Sequence, residues 1–275
     1  MVRQFLPETA RLAARFSQLA YDPSFPIEEE CGFPATPHRF GTLRVIRDGS
    51  DVCYVFKDLV TSTFWVVFRG TDDLKDVVGD LMCGLSSDDY GFDGAVHAGF
   101  VAAAKGFMTP VSEALDWLGY SKDSWVCYAG HSRGGALAGL VASYLSDPTN
   151  VFCKHVFTFG APRYGDARLM ESLVHQLYAF ENAGDPIPKI PPTTLGYASP
   201  RVTVLSKTNH KCAVGFPPLG KSCPARKVIH DLRSICKLAM YGCLPGLFLR
   251  TLKKRHSAAS YYSRVQEALV RQNKK

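Results

Sequence analysis

The stretch that decides the fold is Trp125-Val-Cys-Tyr-Ala-Gly130-His131-Ser132-Arg133-Gly134-Gly135, near the middle of the chain. A β-like run leads into Gly-x-Ser-x-Gly, and a helical run rich in small residues follows over 134–145. This order places Ser132 on a tight strand-to-helix turn, where Gly130 and Gly134 remove side chains that would clash across it. The turn lifts the serine hydroxyl above the carboxyl edge of a sheet, beside a helix N-terminus that favours negative charge. The pattern therefore predicts a nucleophilic serine at position 132.

The segments before this turn predict an antiparallel start to the sheet. Apolar residues recur at helical spacing over 8–20, and a Pro- and Glu-rich loop follows over 22–37. Asp48-Gly49 supplies turn chemistry between the first two of three β-like runs. These runs are 42–47, 52–57 and 64–68.

Beyond residue 100 the predicted helices and strands alternate. The helices are 101–118, 134–145 and 166–175, and the strands are 125–129, 155–159, 177–181 and 201–205. Such alternation is typical of a mostly parallel sheet with helices on both faces. We therefore predict an α/β fold with an antiparallel N-terminal start. No repeat or linker divides the chain, so residues 1–275 are predicted to form one domain.

Charge is distributed unevenly along the chain. Residues 1–200 hold 16 basic and 23 acidic residues, whereas residues 201–275 hold 16 basic residues and 2 acidic ones. A basic end on an acidic body indicates either attraction to an anionic surface or internal pairing with the acidic part. No apolar run reaches the ~18–20 residues that spanning a membrane requires.

The chain has nine cysteines, without the spacing of a metal site. Two groups of them differ in position. Cys53, Cys127 and Cys153 lie in β-like runs and are expected in the core. Four more gather in the basic region and could form bridges in a secreted protein: Cys212, Cys223, Cys236 and Cys243. The N-terminus lacks the apolar core of a signal peptide, so we expect an intracellular protein, cytoplasmic or peripheral to a membrane, with unbridged thiols.

Several further segments are similar to those of the class 3 lipases, the fungal-type triacylglycerol lipases of the α/β-hydrolase superfamily. They follow the family order over about residues 10–265: Phe64-Trp-Val-Val-Phe-Arg69-Gly70-Thr71, His97-Ala-Gly99-Phe100, Thr158-Phe-Gly160-Ala-Pro162-Arg163-Tyr-Gly165-Asp166, Glu181-Asn182-Ala-Gly-Asp185-Pro186-Ile-Pro188 and His256-Ser-Ala-Ala-Ser-Tyr261. The resemblance implies an α/β-hydrolase fold and hydrolysis of carboxylic esters of lipids.

A serine nucleophile needs a base within hydrogen-bond reach and a carboxylate that orients the base. In an α/β-hydrolase the chain order is serine, acid, histidine. Asp185 follows a predicted strand and is favoured as the acid; Asp166 also follows a strand but is better placed to start a helix. His256 opens a C-terminal helix, matches the family position and is favoured as the base.

Other histidines compete for the role of base. His210 and His230 also lie downstream of Asp185, and His230 is the stronger of the two because Asp231 follows it. His131, directly before the serine, is interpreted as a packing residue rather than a second base.

Two backbone donors are expected to bind the developing oxyanion. The N–H of Arg133, the residue after the nucleophile, is one. The family resemblance places the other at Thr71, with its hydroxyl as a further donor. Arg133 stands where the family commonly has Leu, so its side chain either alters substrate preference or forms a salt bridge with a nearby carboxylate.

Two segments raise the question of a lipid surface. The lid-like segment at about 72–93 has a moderate apolar face, which fits either opening at lipid or a short fixed flap. The basic insertion at about 206–255 contains an apolar stretch followed by cations, over 235–255. That stretch suits peripheral docking on an anionic bilayer, or burial with a solvated basic edge that pairs with the acidic 72–93 segment. No stacking or groove-reading motif accompanies the charge, so nucleic-acid binding is not expected.

The sequence thus predicts a serine esterase acting on lipid esters, with catalytic Ser132, Asp185 and His256 and neither a metal nor an organic cofactor. Alternatives on the same three residues are a phospholipase A1, a soluble short-chain carboxylesterase, a thioesterase and a serine peptidase. A scaffold that binds lipid without catalysis is less favoured. Head group, acyl-chain length and oligomeric state are not readable from the sequence.

Overall fold

A mixed sheet forms the centre of the protein. The computed structural model describes residues 2–27, 39–71, 84–87, 91–121, 124–147, 150–151, 155–172, 176–200, 203–206, 212–215 and 256–272. Within these residues the sheet has eight strands, which in spatial order are β1 (Arg44–Asp48), β2 (Asp51–Asp58), β3 (Thr63–Phe68), β6 (Trp125–His131), β9 (His155–Phe159), β10 (Gln176–Asn182), β11 (Thr203–Ser206) and β12 (Cys212–Gly215). Two short hairpins lie outside it: β4 (Leu85–Ser86) with β5 (Val96–His97), and β7 (Ser146–Asp147) with β8 (Asn150–Val151).

The strand directions confirm the predicted fold class. The first three strands pair antiparallel, and the next pairings, from β3 through β6, β9 and β10 to β11, are all parallel. The last strand, β12, returns antiparallel to β11 and was not predicted from the sequence. Because β3, β6, β9 and β10 are parallel, their carboxyl ends meet at one edge of the sheet.

Helices cover both faces of the sheet. They are α1 (Val2–Leu19), α2 (Ala98–Trp117), α3 (Arg133–Tyr144), α4 (Ala167–Ser172) and α5 (Ala258–Gln272). Helices α1 and α5 pack together on one face, and α2 and α3 pack together on the other. Successive strand residues alternate between the two resulting cores: the side chain of Cys53 lies in the core under α2 and α3, and that of Tyr54 lies in the core under α1.

Several predicted bounds shift in the structure. The first helix was predicted over 8–20 but begins at Val2, so Pro7 does not start it. The second begins at Ala98 rather than residue 101, because the His97 side chain caps it by accepting a hydrogen bond from the N–H of Phe100 at 3.3 Å. The first strand, predicted over 42–47, is Arg44–Asp48, and the strand predicted over 201–205 is Thr203–Ser206.

The predicted core cysteines are confirmed where the structure describes them. Cys53 and Cys127 are fully buried and unbridged, and burial raises the pKa of both thiols. Cys153, Cys223, Cys236 and Cys243 lie outside the described residues, as does the side chain of Cys212. Most of the lid-like segment 72–93 and of the basic insertion 206–255 also lies outside them, and the single domain over 1–275 remains a prediction.

None of the helices in the described part of the chain combines the length and the apolar composition needed to cross a membrane.

An aromatic cluster anchors α1 to the sheet. The ring of Phe16 meets those of Phe40, Phe56 and Trp65 edge-on, with centroids 5.7, 5.1 and 4.8 Å away. Phe16 is fully buried. Edge-to-face contacts add to the free energy of apolar burial, so this residue fixes where the end of α1 lies on the sheet.

We expect Phe16→Ala to lower the free energy of unfolding by about 3–5 kcal/mol, because the change leaves a cavity among three aromatic rings. Urea denaturation measures it. Val60→Ala is the control: Val60 is 63% exposed, and its replacement should cost less than about 0.5 kcal/mol. A loss no larger than that of the control would contradict the anchoring role of Phe16.

Candidate active site

Ser132 occupies the turn between β6 and α3. Its backbone has φ 57° and ψ −128°, a region that non-glycine residues rarely adopt and that costs on the order of 1–3 kcal/mol. The Ser132 N–H donates to the carbonyl of Phe159 at 2.9 Å, at the end of the neighbouring strand β9. The side chain is fully buried. The predicted strand–serine–helix turn is therefore present, in a strained conformation held by the adjacent strand.

The glycines around Ser132 leave the space that this turn needs. A Cβ at Gly130 would collide with the carbonyl of Gly134 across the turn. A Cβ at Gly134 would lie 2.5 Å from the carbonyl of Phe68 and 2.7 Å from that of Arg69, at the end of β3. Helix α3 can therefore approach β3 closely only because residue 134 lacks a side chain.

Asp185 and His256 form a buried pair. Asp185 follows β10, and its Oδ2 lies 2.7 Å from His256 Nδ1. Both side chains are almost fully buried. The backbone N–H of Ile187 donates to Asp185 Oδ1 at 3.0 Å, and the hydroxyl of Tyr261 donates to Oδ2 at 2.6 Å. The two residues favoured in the sequence as acid and base are thus brought together, although 71 positions separate them.

Tyr261 links Asp185 to the C-terminal helix. Its hydroxyl accepts from the N–H of Asn182 at 3.0 Å while donating to Asp185. Burial, followed by the charge of Asp185 and the bond to it, raises the pKa of Tyr261 well above its ordinary value. Tyr261 therefore stays a donor, and it holds the carboxylate oxygen that also faces His256. The sequence drew attention to this tyrosine as part of a motif but gave no role for it.

The imidazole of His256 lies beside the turn that holds Ser132. A Cβ at Gly160 would be 3.0 Å from His256 Cε1, and Gly160 directly follows Phe159, whose carbonyl binds the Ser132 N–H. Ser132 Oγ and His256 Nε2 are both buried, and neither has a hydrogen-bond partner among the described residues. A hydroxyl and an imidazole nitrogen lacking partners, at one edge of the sheet, suit proton transfer between them on substrate binding.

The competing candidates have other positions. Asp166 Oδ1 accepts from the N–H of Leu169 at 2.8 Å at the start of α4, as its proximity to a helix start predicted. His210 and His230 lie outside the described residues.

His131 lies behind Ser132, and both of its ring nitrogens have partners. Nδ1 is 2.7 Å from the hydroxyl of Tyr21, and Nε2 contacts the backbone carbonyl of His256. Burial, and then the neighbouring His256 ring, lower the pKa of His131 well below its ordinary value. The neutral ring is therefore favoured by folding, and this stabilisation is lost as the pH falls below about 6.5, where an unfolded histidine takes up a proton.

The two expected oxyanion donors follow two different strands of the sheet. Arg133 is the first residue of α3, and Thr71 lies three residues beyond the end of β3. The Arg133 side chain forms a two-point ion pair with Asp51, with Nε and Nη2 at 2.9 and 2.8 Å from the carboxylate oxygens. Of the two roles left open for this side chain, the salt bridge is therefore the one observed.

A second arginine fixes the loop that follows Asp185. Arg163 is buried, and its Nη1 donates to the carbonyls of Lys189 at 2.6 Å and Pro191 at 2.8 Å. Its Nε donates to Ser199 Oγ at 3.1 Å. Lys189 also forms an ion pair with Glu181, so both sides of Asp185 are held. Sequence reasoning included Arg163 in a motif but did not assign it this role.

Among the described residues, no three His, Cys, Asp or Glu side chains are grouped so that they could hold a metal ion.

The central part of the chain matches a known family. Residues 65–195 match the model described as lipase (class 3). A secreted mono- and diacylglycerol lipase of Fusarium solani is 26% identical over 148 residues, covering 52% of this chain and 44% of that protein. A lipase of Caenorhabditis elegans is 34% identical over 145 residues, covering 50% of this chain and 40% of that protein. The chain thus spans less than half the length of these two relatives.

Solved structures show the same fold. The lipase of Rhizomucor miehei, in complex with its propeptide, aligns with a TM-score of 0.60 at 21% identity, over 78% of this chain and 73% of that one. The likeness identifies the α/β-hydrolase fold. With the family match, it confirms the resemblance to class 3 lipases first recognised in short motifs.

We expect Tyr261→Phe to lower the free energy of unfolding by about 1.5–3 kcal/mol at neutral pH, because it removes a buried hydrogen bond to a carboxylate. Urea denaturation is the measurement. Tyr54→Phe is the matched control: its hydroxyl is also buried but has no hydrogen-bond partner among the described residues, so its loss should cost less than about 0.5 kcal/mol. Equal losses in the two variants would contradict a special bond at Tyr261.

Proposed function

We propose that this chain, whose residues 65–195 match the class 3 lipases, is a serine hydrolase that cleaves carboxylic esters of lipids. One observation carries the proposal. The buried Asp185–His256 pair lies at the edge of the sheet where the strained turn holds Ser132. A serine, a carboxylate and a histidine, in this chain order on an α/β-hydrolase sheet, are the groups that acyl transfer requires.

Each residue of the trio has one task in the proposed reaction. Ser132 Oγ attacks the ester carbonyl while His256 Nε2 takes its proton, and His256 then gives that proton to the leaving alcohol. Asp185 fixes the ring through Nδ1 and stabilises the imidazolium that forms. Water, activated by the same histidine, releases the acyl group from Ser132. The Ser132 Oγ and His256 Nε2 atoms support this assignment, because both are buried and neither has a hydrogen-bond partner among the described residues, which leaves both available for proton transfer.

The backbone N–H groups of Arg133 and Thr71 are the proposed donors to the oxyanion. The first lies at the N-terminus of α3, where the helix dipole favours negative charge. Preorganised donors of this kind contribute roughly 3–4 kcal/mol each to stabilising the transition state. The ion pair with Asp51 holds the Arg133 side chain, so its charge is compensated before substrate binds.

The substrate class rests on family likeness. The named relatives are lipases, one of them acting on mono- and diacylglycerols by its name. Ser132 is completely buried in this structure, and no contact among the described residues separates long acyl chains from short ones. Docking on an anionic surface through 235–255 remains a proposal about residues outside the described set, and the intracellular setting remains a prediction.

We expect Ser132→Ala to lower kcat by about 10⁶-fold without loss of stability, because the nucleophile is removed from a turn that stays intact. Initial rates on an ester series from acetyl to stearoyl, with and without anionic vesicles, measure it for wild type and variant. Long-chain preference that increases with vesicles supports a lipase. Short-chain activity indifferent to vesicles identifies an esterase, and normal turnover by the variant contradicts the proposal.

The two aspartates provide an internal control for the same assay. Asp185→Asn should lower kcat by about 10⁴-fold, since the amide favours the wrong tautomer of His256. Asp166→Asn keeps the helix cap, because the amide oxygen can also accept from the Leu169 N–H, so it should leave kcat within about twofold of wild type and change stability by less than about 0.5 kcal/mol. The reverse pattern would assign the role of the acid residue to Asp166 instead of Asp185.

A further inference from the structure

A hydrogen-bonded pair of side chains, partly buried Tyr21 and buried His131, lies behind the site and has no task in the proposed mechanism. Tyr21 comes directly after α1, more than forty residues before the segment that matches the family model. His131 precedes the nucleophile and is 4% exposed. Removing polar groups from water costs free energy unless they are hydrogen-bonded, so a pair that the mechanism does not use needs another reason for its place behind the site.

The partners of His131 determine its tautomer. The backbone carbonyl of His256 can only accept, so the Nε2 that contacts it must carry the proton. Nδ1 is then an acceptor, and the hydroxyl of Tyr21 donates to it across 2.7 Å. Since the Nδ1 lone pair is occupied, His131 cannot take a proton from Ser132. The ring is therefore a neutral donor to the chain at His256 and not a second base.

The pair also touches the segment that carries Thr71. A Cβ at Gly70 would collide with the hydroxyl of Tyr21 and would lie 2.5 Å from the carbonyl of His131. The strand end before Thr71 is thus packed directly against both members of the pair. Three chain segments meet there: the one leading to Thr71, the one leading to Ser132 and the one carrying His256.

The carbonyl of His256 depends on this contact for its position. Helix α5 starts two residues after His256. At its start the Ser257 hydroxyl accepts from the N–H of Ser260 at 3.2 Å, and the Ser257 carbonyl accepts from the N–H of Tyr261 at 3.2 Å. The rings of His131 and His256 pack with centroids 4.7 Å apart, at an angle of 40°. The bond to His131 therefore fixes the backbone of His256 on one side, while Asp185 fixes its ring on the other.

We propose that Tyr21 and His131 are positioning residues, which hold the backbone of His256 so that its Nε2 points at Ser132 Oγ. This inference rests on the proposed function. Tyr21 acts through His131 by keeping the proton on Nε2, and His131 acts through the His256 carbonyl. Neither touches substrate. Because a displacement of about 1 Å at a reacting group can cost on the order of 100-fold in rate, loss of the donor should lower kcat and leave KM nearly unchanged.

Four variants separate positioning from packing. His131→Leu keeps the apolar volume and removes the donor. His131→Gln keeps an amide that can donate to His256 and accept from Tyr21. Tyr21→Phe removes the hydroxyl, and Tyr54→Phe removes a buried hydroxyl that has no hydrogen-bond partner in the described part of the chain. Kinetics on a soluble short-chain ester give kcat and KM for each, with thermal unfolding as the check on folding.

We expect kcat to fall roughly 10- to 100-fold in His131→Leu and roughly 3- to 10-fold in Tyr21→Phe, with KM within about twofold of wild type. His131→Gln should recover most of the loss, and Tyr54→Phe should behave as wild type. If His131→Gln is as impaired as His131→Leu, or if His131→Leu has wild-type kcat, the inference is overturned.

A second measurement does not require turnover. Two-bond ¹H–¹⁵N spectra of ring nitrogens should show His131 as the neutral Nε2–H tautomer from pH about 5 to about 8, the range in which an ordinary histidine titrates. Wild type and Ser132→Ala should agree, and Tyr21→Phe should lose the single tautomer. An Nδ1–H form or a protonated ring in wild type would overturn the inference. An inactive wild type with the expected spectrum would instead overturn the proposed function.

Discussion

The close approach of α3 to the carboxyl edge of the sheet is the constraint on which the rest of the structure depends. It needs two positions without side chains, Gly130 and Gly134, and it forces Ser132 into a strained backbone conformation. The strain persists because surrounding contacts over-determine the turn. The Ser132 N–H is bound to β9, and the residue before it is bound to Tyr21 and His256. The contacts that hold this edge of the sheet therefore also set the position of the Ser132 hydroxyl.

Several polar and charged side chains around this turn are bound by more than one hydrogen bond. Asp185 has three hydrogen-bond partners, and Arg163 and Arg133 each bind carbonyl or carboxylate oxygens at two points. Removing one member of such a buried pair costs about 3–5 kcal/mol, because it leaves the other charge without a partner. Ser132 Oγ and His256 Nε2 differ from these groups: both are buried, and neither has a hydrogen-bond partner among the described residues.

The fold and the pairing of Asp185 with His256 could be predicted because their signals are local, follow chain order or match the family motifs. Gly-x-Ser-x-Gly between strand and helix is a contiguous pattern, and Asp185 and His256 follow from position after a strand and before a helix. The contacts that hold them could not be predicted. Tyr21 and His131 are 110 positions apart, and Arg133 and Asp51 are 82 apart, so no periodicity or spacing connects them. For Arg133, the sequence offered a salt bridge to a nearby carboxylate as one of two roles but could not name Asp51.

Covalent labelling of Ser132 is the most direct test of the central claim, which is that a buried, strained serine is activated by His256. The protein would be treated with a fluorophosphonate in a micellar detergent, digested, and mapped by mass spectrometry. We expect one adduct, on the peptide that contains Ser132. This adduct should form at least about 100-fold more slowly when His256 is replaced by Ala. An adduct on another serine, or labelling of Ser132 at an unchanged rate in His256→Ala, would contradict it.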